Sequence, residues 1–173
     1  MRTANLWWGY KAREDGMILD MNDNILHQHM YGNYFGVCLI NPETNRRKQY
    51  HVHRLIARAL VFNPNRHEFS IVDHIDRNER HNASSNIRWV NNSLNLLNRD
   101  TKGAYFSIKY KKWEARVRKI TYGWFDTYQE AHVCAKENKA EIFSREYSQL
   151  CENTPESSSN SSLQMSALSA ILV

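Results

Sequence analysis

Residues 70–98 constrain the fold more than any other segment, because strand, loop, strand and helix patterns follow one another there without a gap. Ser70 to His74 and Ile87 to Val90 are short apolar runs typical of strands. The sequence DRNERHN between them predicts a polar turn or loop. Asn91 to Asn98 then reads as the start of a helix. This order predicts a ββα unit, and we expect an α+β protein.

The residues before this unit predict β-rich structure and one helix. DGMILDMNDNIL has two apolar runs split by Asn-Asp-Asn, which is a hairpin pattern. YFGVCLI predicts a strand, and QYHVH predicts its returning partner. RLIARALVF has helical spacing and is followed by Asn63-Pro64, which ends a helix.

The residues after this unit predict three strands and a helix. Thr101 to Gly103 is the expected linker, and AYFSIK, KWEARVRK and ITYGWF are the expected strands. Alternation in the second strand places Arg116 and Arg118 on one face and Trp113 on the other. The final helix is expected to be capped by Thr127 and Glu130. From Cys151 the sequence becomes a low-complexity tail, predicted to be flexible.

The positive charge of the chain is concentrated in one region. The net charge is +5, and all 23 lysines and arginines precede Cys151. Aromatic residues are interleaved with a basic cluster that faces only Asp100 and Glu114. The cluster consists of Arg99, Lys102, Lys109, Lys111, Lys112, Arg116, Arg118 and Lys119. Such a surplus favours a polyanionic partner, although a solvated basic face is an equally good interpretation from composition alone.

The cysteines and the apolar runs exclude several classes of protein. Cys38, Cys134 and Cys151 are far apart, which argues against a disulfide framework or a structural zinc site. No run has the length of a signal-peptide core or a membrane span. We therefore expect a soluble, intracellular protein without a membrane partner.

The polar segment carries the residue types that phosphodiester hydrolysis needs. Asp73 offers a carboxylate for a hard divalent cation, and His74 offers an imidazole that can take a proton from water. Asn95 offers an amide oxygen as a second, neutral ligand. Adjacent Asp and His residues are usually an exposed surface pair, and an Asn-rich loop is often only turn chemistry. The residues alone leave both interpretations open.

A resemblance to a known family adds to this pattern. VHRLIARAL followed by VDHIDRNERHNASSNIRWVNNSLNLLNR resembles phage-type HNH homing endonucleases over about residues 50–99. The resemblance implies a ββα-metal fold in which Asp73 and Asn95 hold one Mg²⁺ or Mn²⁺ ion. It also implies that His74 is the general base and that Asn86 braces the loop. Members of the family usually have glycine where this chain has Arg77, and Asn78 is the neighbour expected to adopt a left-handed conformation instead.

The same resemblance implies a reaction and a partner. Water would attack phosphorus in double-stranded DNA and leave a 5′-phosphate and a 3′-hydroxyl. One HNH centre hydrolyses one bond at a time, so a monomer that nicks one strand is expected, without an obligate protein partner. A cellular host with phage or viral origin fits this expectation.

The basic C-terminal region has a resemblance of its own. GAYFSIKYKKWEARVRKITYGWFDTYQEAHVCAKENKAEIF resembles the Apetala/ethylene-response-factor DNA-binding domain, a three-stranded sheet backed by one helix. Matching sheet residues would contact bases and phosphates, with three lysines as phosphate contacts. These residues are Trp113, Arg116, Arg118, Trp124, Lys109, Lys111 and Lys112. Alternation leaves open whether Trp113 contacts DNA or belongs to the core.

These observations predict an HNH endonuclease domain over 1–98 with a β-rich N-terminal part. A linker over 99–103, a DNA-binding domain over 104–147 and a tail over 148–173 follow. The predicted function is a site-specific, metal-dependent DNA endonuclease. A catalytically silent DNA-binding regulator is the alternative, against which the intact Asp73, His74, Asn86 and Asn95 argue. A packaging protein fits poorly with the modest charge.

Overall fold

The computed structural model describes residues 1–152, and the rest of the predicted tail lies outside them. The described chain is α+β, as expected, with small antiparallel sheets and three α-helices. Its contacts divide it into a first unit, Met1–Asn91, and a second unit that begins at Asn92. The division therefore falls before the linker predicted at 99–103, and the expected domain boundaries stay predictions.

The first unit begins with two three-stranded antiparallel sheets. One is made of β1 (Thr3–Asn5), β2 (Lys11–Arg13) and β3 (Ile18–Leu19) in that order. The other is made of β4 (His29–Tyr31), β5 (Tyr34–Ile40) and β6 (Arg47–His51). The strand predicted from YFGVCLI is thus confirmed. The predicted returning strand is too long by two residues, because the helix begins directly after His51.

The helix α1 (Val52–Leu60) supplies much of the core of the first unit. Its apolar side chains recur at helical spacing and are buried against the sheets. The members of this core are Ala12, Ile18, Val37, Leu39, Val52, Leu55, Ile56, Ala57 and Ile87. His53 is also on the buried face of α1. If residues 49–53 formed a strand, as the sequence predicts, the side chain of His53 would not lie on the buried face of a helix.

The two strands predicted for the polar segment are present and pair as a hairpin. β7 (Ile71–His74) pairs antiparallel with β8 (Ile87–Val90), with Ile71 opposite Val90 and His74 opposite Ile87. The ladder is short because residues 75–86 leave it to form the polar loop. The hairpin places Asp73 and His74 at the end of β7 rather than on an open strand face.

The second unit contains a helix, a sheet and a long helix. α2 (Asn92–Asn98) is followed by β9 (Ala104–Ser107), β10 (Lys112–Val117) and β11 (Ile120–Phe125), in the sheet order β11-β10-β9. α3 (Tyr128–Glu152) packs on this sheet, as predicted. Trp113 faces α3, where its ring meets that of Tyr128 at 5.1 Å. Trp113 is half-buried, and this contact favours the core interpretation, while a DNA contact by Trp113 stays a prediction.

The two ends of α3 can be compared with their predicted positions. The predicted capping box is present, because Thr127 and Glu130 exchange hydrogen bonds through side chain and backbone. The helix runs five residues beyond the predicted boundary at 147. Its buried face includes Phe143 and Tyr147, whose rings stack at 5.8 Å, so apolar packing continues to the end of the predicted domain.

Candidate functional site

The β7–β8 hairpin buries Asp73 and His74 at the end of a strand. Asp73 is only 7% exposed and His74 only 5%, so they are not the exposed surface pair that a random Asp-His dipeptide usually forms. Asp73 lies opposite Arg88 in the ladder. Arg88 donates to Oδ2 of Asp73 through Nε at 2.9 Å and through a terminal nitrogen at 2.8 Å. The buried carboxylate is therefore matched by a guanidinium.

Arg88 was missing from the set predicted from the sequence. Arg88 can be found from the pairing of the two strands, because a ladder with Ile71 opposite Val90 also sets Asp73 opposite Arg88. An ionised carboxylate has two oxygens and about four acceptor positions, so it can accept from Arg88 and also bind a cation. Arg88 thus fixes the orientation of Asp73 without excluding a metal.

Asn86 binds the loop between the two strands. Its Nδ2 donates to Oδ1 of Asp76 and to the carbonyl of His81, each at 2.8 Å. Its Oδ1 accepts from the backbone N–H of Asp76 at 3.1 Å. The backbone adds another bond, from Ile75 N–H to the Asn86 carbonyl at 2.8 Å. This is the arrangement a loop brace requires, and its catalytic importance stays a prediction.

Asp76 is the acceptor at the centre of this loop. Burial on its own would raise the pKa of its carboxyl. Hydrogen bonds from His81, from the backbone of Asn78 and from Asn86 outweigh that effect and hold the pKa below its usual value. Asp76 therefore stays ionised and keeps accepting these bonds at neutral pH.

Arg77 adopts the left-handed conformation itself, with φ 65°. The expectation that Asn78 would take this role is wrong, since Asn78 is not among the residues with positive φ. The turn is closed by the N–H of Arg77, which donates to the carbonyl of His74 at 3.0 Å. A side chain other than glycine at such a position costs about 1–2 kcal/mol. The loop keeps its geometry in spite of this strain.

The ring of His74 is surrounded by other polar and aromatic groups. Its Nε2 lies 3.1 Å from Oδ1 of Asn82. The ring of His53 meets it edge-on with centroids 5.3 Å apart, and the ring of Tyr34 lies nearly parallel to it at 6.1 Å. His51 in turn stacks on His53 at 5.4 Å. Asn82 and His53 were not among the predicted site residues.

His53 is held in the neutral form. Burial, followed by the positive charges that His74, His51 and Arg54 can carry, lowers its pKa to about 3. Its Nδ1 is buried without a hydrogen-bond partner in the described part of the chain. The uncharged ring of His53 packs against His74 without placing a positive charge beside it. The sequence does not reveal this residue, because the alternation of QYHVH predicts a strand where α1 begins.

Asn95 lies on α2, half-buried, in the second unit. The structure thus brings together Asp73, His74 and Asn86 within the first unit. A shared metal site between Asp73 and Asn95 stays a prediction. Within residues 1–152, no group of three or more His, Cys, Asp or Glu side chains is arranged to hold a metal ion.

The outer face of the β9–β11 sheet carries exposed aromatic and basic side chains. Arg116 lies over the ring of Tyr105, with its guanidinium carbon 4.4 Å from the centroid. Trp124 is 41% exposed and packs against Tyr110 at 4.7 Å. Lys109 lies over the Tyr110 ring at 5.0 Å. Planar and cationic groups therefore share one surface.

The remaining predicted DNA contacts have different surroundings. Lys111 is exposed in the β9–β10 turn, and Lys112 pairs with Asp126 at 3.2 Å. Arg118 does not share the face of Arg116, because β10 ends at Val117 and Arg118 adopts φ 48° in the hairpin turn. Its guanidinium donates to Glu146 at 3.0 Å and to the Ser93 hydroxyl at 2.6 Å. A DNA contact by Arg118 would have to compete with these partners.

Two curated relatives are similar to part of this chain. One is an uncharacterized HNH endonuclease of Acanthamoeba polyphaga mimivirus, 38% identical over 66 residues, which are 38% of this chain and 19% of the relative. The other is DNA endonuclease I-HmuI of Bacillus phage SP01, 39% identical over 56 residues, which are 32% of this chain and 31% of the relative. The chain thus matches less than a third of each relative's length. No family model matches the chain.

A solved structure is also similar. It is that of the HNH homing endonuclease I-HmuI, described for DNA binding and cleavage, with 26% identity and a TM-score of 0.49 over 57% of each chain. The two curated relatives support the resemblance to HNH endonucleases, and neither bears on the Apetala-like region. In residues 1–152, no helix has the length and apolarity needed to cross a membrane.

Replacing Arg77 with glycine should stabilise the protein by about 1 kcal/mol, because glycine adopts φ 65° without steric cost. Urea unfolding of the wild type, Arg77→Gly and Arg77→Ala measures this. Arg77→Ala keeps the Cβ atom and is the matched control. Equal stabilities of the glycine and alanine variants would show that the backbone conformation is not strained.

The buried neutral His53 should make the protein less stable as pH falls. Its folded pKa of about 3 is below its unfolded value of about 6.5, so the unfolded chain binds one more proton between these values. The free energy of unfolding should therefore decrease by up to about 1.4 kcal/mol per pH unit from pH 6.5 down to 3 on account of this group.

The matched variant is His53→Phe, which keeps an aromatic ring and removes the titration. The measurement is the difference in unfolding free energy between His53→Phe and the wild type as a function of pH. The difference should increase in favour of the variant as the solution is acidified. A difference that does not change with pH would show that His53 titrates normally in the folded state.

Proposed function

We propose that this chain is a metal-dependent HNH endonuclease that hydrolyses a phosphodiester bond in DNA. The observation that carries the proposal is the buried Asp73–His74 pair at the end of β7, with the following loop held by Asn86. A buried histidine and carboxylate require a structural reason, and here each has a defined polar partner. The two relatives named as HNH endonucleases support the same reading.

The residue roles follow from the chemistry of the groups. His74 would accept the proton of the attacking water, since a neutral imidazole is a base near pH 7. Asp73 and Asn95 would hold one Mg²⁺ or Mn²⁺ ion, because carboxylate and amide oxygens suit hard cations and Mg²⁺ sites use few protein ligands. When bound, the ion would stabilise negative charge on the scissile phosphate. Asn86 would keep the loop in position.

The order β7, β8, α2 is the order of a ββα-metal unit, and we propose that fold for this part of the chain. Hydrolysis would leave a 5′-phosphate and a 3′-hydroxyl. A single centre acts on one strand at a time, so a monomer would nick. Homing-type site specificity is proposed from the sequence resemblance of residues 50–99. A phage or viral origin is proposed from the two relatives, one from a phage and one from a virus of amoebae.

The β9–β11 sheet is proposed as the surface that selects the DNA site, in the manner of an Apetala-like domain. The support is the outer face, where Arg116 and Trp124 are exposed beside Tyr105 and Tyr110, with Lys109 and Lys111 in the adjoining turn. Cationic side chains bind phosphates and arginine reads guanine edges. Trp113 faces α3 and would support this sheet from behind.

His74→Ala should abolish DNA cleavage and leave DNA affinity within a few-fold of the wild type. The reason is that His74 would act on water, whereas affinity comes mainly from phosphate contacts elsewhere. Nicking of supercoiled plasmid with Mg²⁺ or Mn²⁺ measures cleavage, and fluorescence anisotropy with labelled duplex measures binding. Cleavage by His74→Ala at the wild-type rate would contradict the role of His74.

The same assay separates the alternative function. If the wild type binds DNA but never cuts it with any divalent metal, the chain is a DNA-binding regulator rather than a nuclease.

Arg116→Ala should weaken DNA binding by about 1–3 kcal/mol if Arg116 contacts a base, and should reduce the salt slope by about one if it contacts a phosphate. Arg118→Ala is the matched comparison. Arg118 donates to Glu146 and Ser93 at 3.0 and 2.6 Å, whereas Arg116 lies 3.8 Å from its acidic neighbour Glu114, so loss of Arg118 should change affinity less. Affinity measured at several salt concentrations for both variants distinguishes a base contact from a phosphate contact. A larger loss in Arg118→Ala would contradict the assignment of the outer face.

A further inference from the structure

Asn82 is a buried polar residue to which the proposed mechanism assigns no role. It is 5% exposed, and its Oδ1 lies 3.1 Å from Nε2 of His74. An asparagine side chain usually prefers solvent, so its burial requires a partner that repays the loss of hydration. That partner is the imidazole of His74.

The direction of this hydrogen bond determines the tautomer of His74. An amide oxygen only accepts, so the imidazole must donate through an N–H at Nε2. In the neutral ring, a proton on Nε2 makes Nδ1 the nitrogen that can accept a proton. A general base works best when its accepting nitrogen is directed at the reacting group, and a third group commonly orients it.

The position of Asn82 is itself fixed by packing. Gly16, with φ +94°, lies so close that a Cβ atom there would be 2.8 Å from the carbonyl carbon of Asn82. Two residues further on, the N–H of Ser84 donates to the carbonyl of Glu14 at 2.7 Å. The β2–β3 turn is therefore packed against the backbone that carries Asn82. A side chain on such a backbone has little freedom to move away from His74.

The other side of the His74 ring is also packed. His53 meets the ring edge-on and Tyr34 lies nearly parallel to it. These contacts restrict rotation of the imidazole but do not choose between its two tautomers. The hydrogen bond to Asn82 favours the tautomer that carries its proton on Nε2.

We propose that Asn82 is a positioning residue, which holds His74 in the tautomer protonated on Nε2 and so makes Nδ1 the nitrogen that would accept the proton of the attacking water. This role rests on the proposed nuclease function. It predicts that the essential property of residue 82 is an acceptor oxygen directed at Nε2, rather than the amide group as a whole.

Two variants separate these properties. Asn82→Ala removes the acceptor, and Asn82→Asp keeps an acceptor oxygen but cannot donate when ionised. Asn65→Ala is the matched control for stability, since Asn65 is another buried asparagine of the first unit, 6% exposed. The readouts are the single-turnover rate and the apparent DNA affinity in plasmid nicking, together with the melting temperature of each protein.

A spectroscopic readout reports the tautomer directly. Long-range ¹H–¹⁵N correlation of the imidazole rings shows which nitrogen carries the proton, and the signals of His74 among the 8 histidines are identified by their loss in His74→Ala. We expect a proton on Nε2 of His74 in the wild type and in Asn82→Asp, and a mixture of tautomers in Asn82→Ala.

The expected kinetic result is a fall of about 10- to 100-fold in the cleavage rate of Asn82→Ala with affinity unchanged, the size typical of removing a group that orients a catalytic ligand. Asn82→Asp should stay within a few-fold of the wild type, and so should Asn65→Ala. Full activity in Asn82→Ala, equal inactivity in Asn82→Asp, or a wild-type proton on Nδ1 would each overturn the role of Asn82. A wild type that cuts no DNA would instead overturn the proposed function itself.

Discussion

The side-chain amide of Asn86 holds the β7–β8 loop to the end of the strand that carries Asp73 and His74. Its hydrogen bonds reach the backbone and side chain of Asp76 and the carbonyl of His81. A loop of this length would otherwise have to satisfy its polar backbone with water. Because these bonds close the loop, Asn82 lies beside His74, and Asp73, His74, Asn82 and Asn86 all belong to one hairpin.

The polar groups of this site are arranged in pairs that limit the cost of burial. Asp73 is paired with Arg88 across the ladder, and His74 is paired with Asn82 across the loop. Within residues 1–152, Nδ1 of His53 has no such partner, and the ring stays neutral instead, which removes a charge that could not be solvated. The site therefore concentrates polarity at the residues proposed for chemistry and keeps the ring behind them uncharged.

Local patterns in the sequence predicted most of the secondary structure. The runs before His74 and after Asn86, the strand of Tyr34 to Ile40 and the cap at Thr127 all appear as expected. These features depend on residues that are close in sequence. The same is true of the resemblance to HNH endonucleases, which the two relatives support.

The features that were missed depend on register and backbone angle. The apolar-polar alternation of residues 49–53 predicts a strand through His53, whereas helix α1 already begins at Val52. Simple alternation predicts that Arg118 shares a face with Arg116. The structure differs because the register is irregular at Ala115 and Arg116 and because Arg118 lies in the hairpin turn that follows. No sequence pattern indicates the contact between Asn82 and His74, since it arises from a loop that brings together two residues eight positions apart.

The most direct test of this account is the chemistry of the cut ends. Supercoiled plasmid is incubated with the protein and Mg²⁺ or Mn²⁺, and the relaxed circles are then treated with DNA ligase. Hydrolysis that leaves a 5′-phosphate and a 3′-hydroxyl predicts nicks that ligase seals, and no nicks when a chelator is present. Nicks that ligase cannot seal, or cutting that persists in the chelator, would contradict a metal-dependent HNH mechanism.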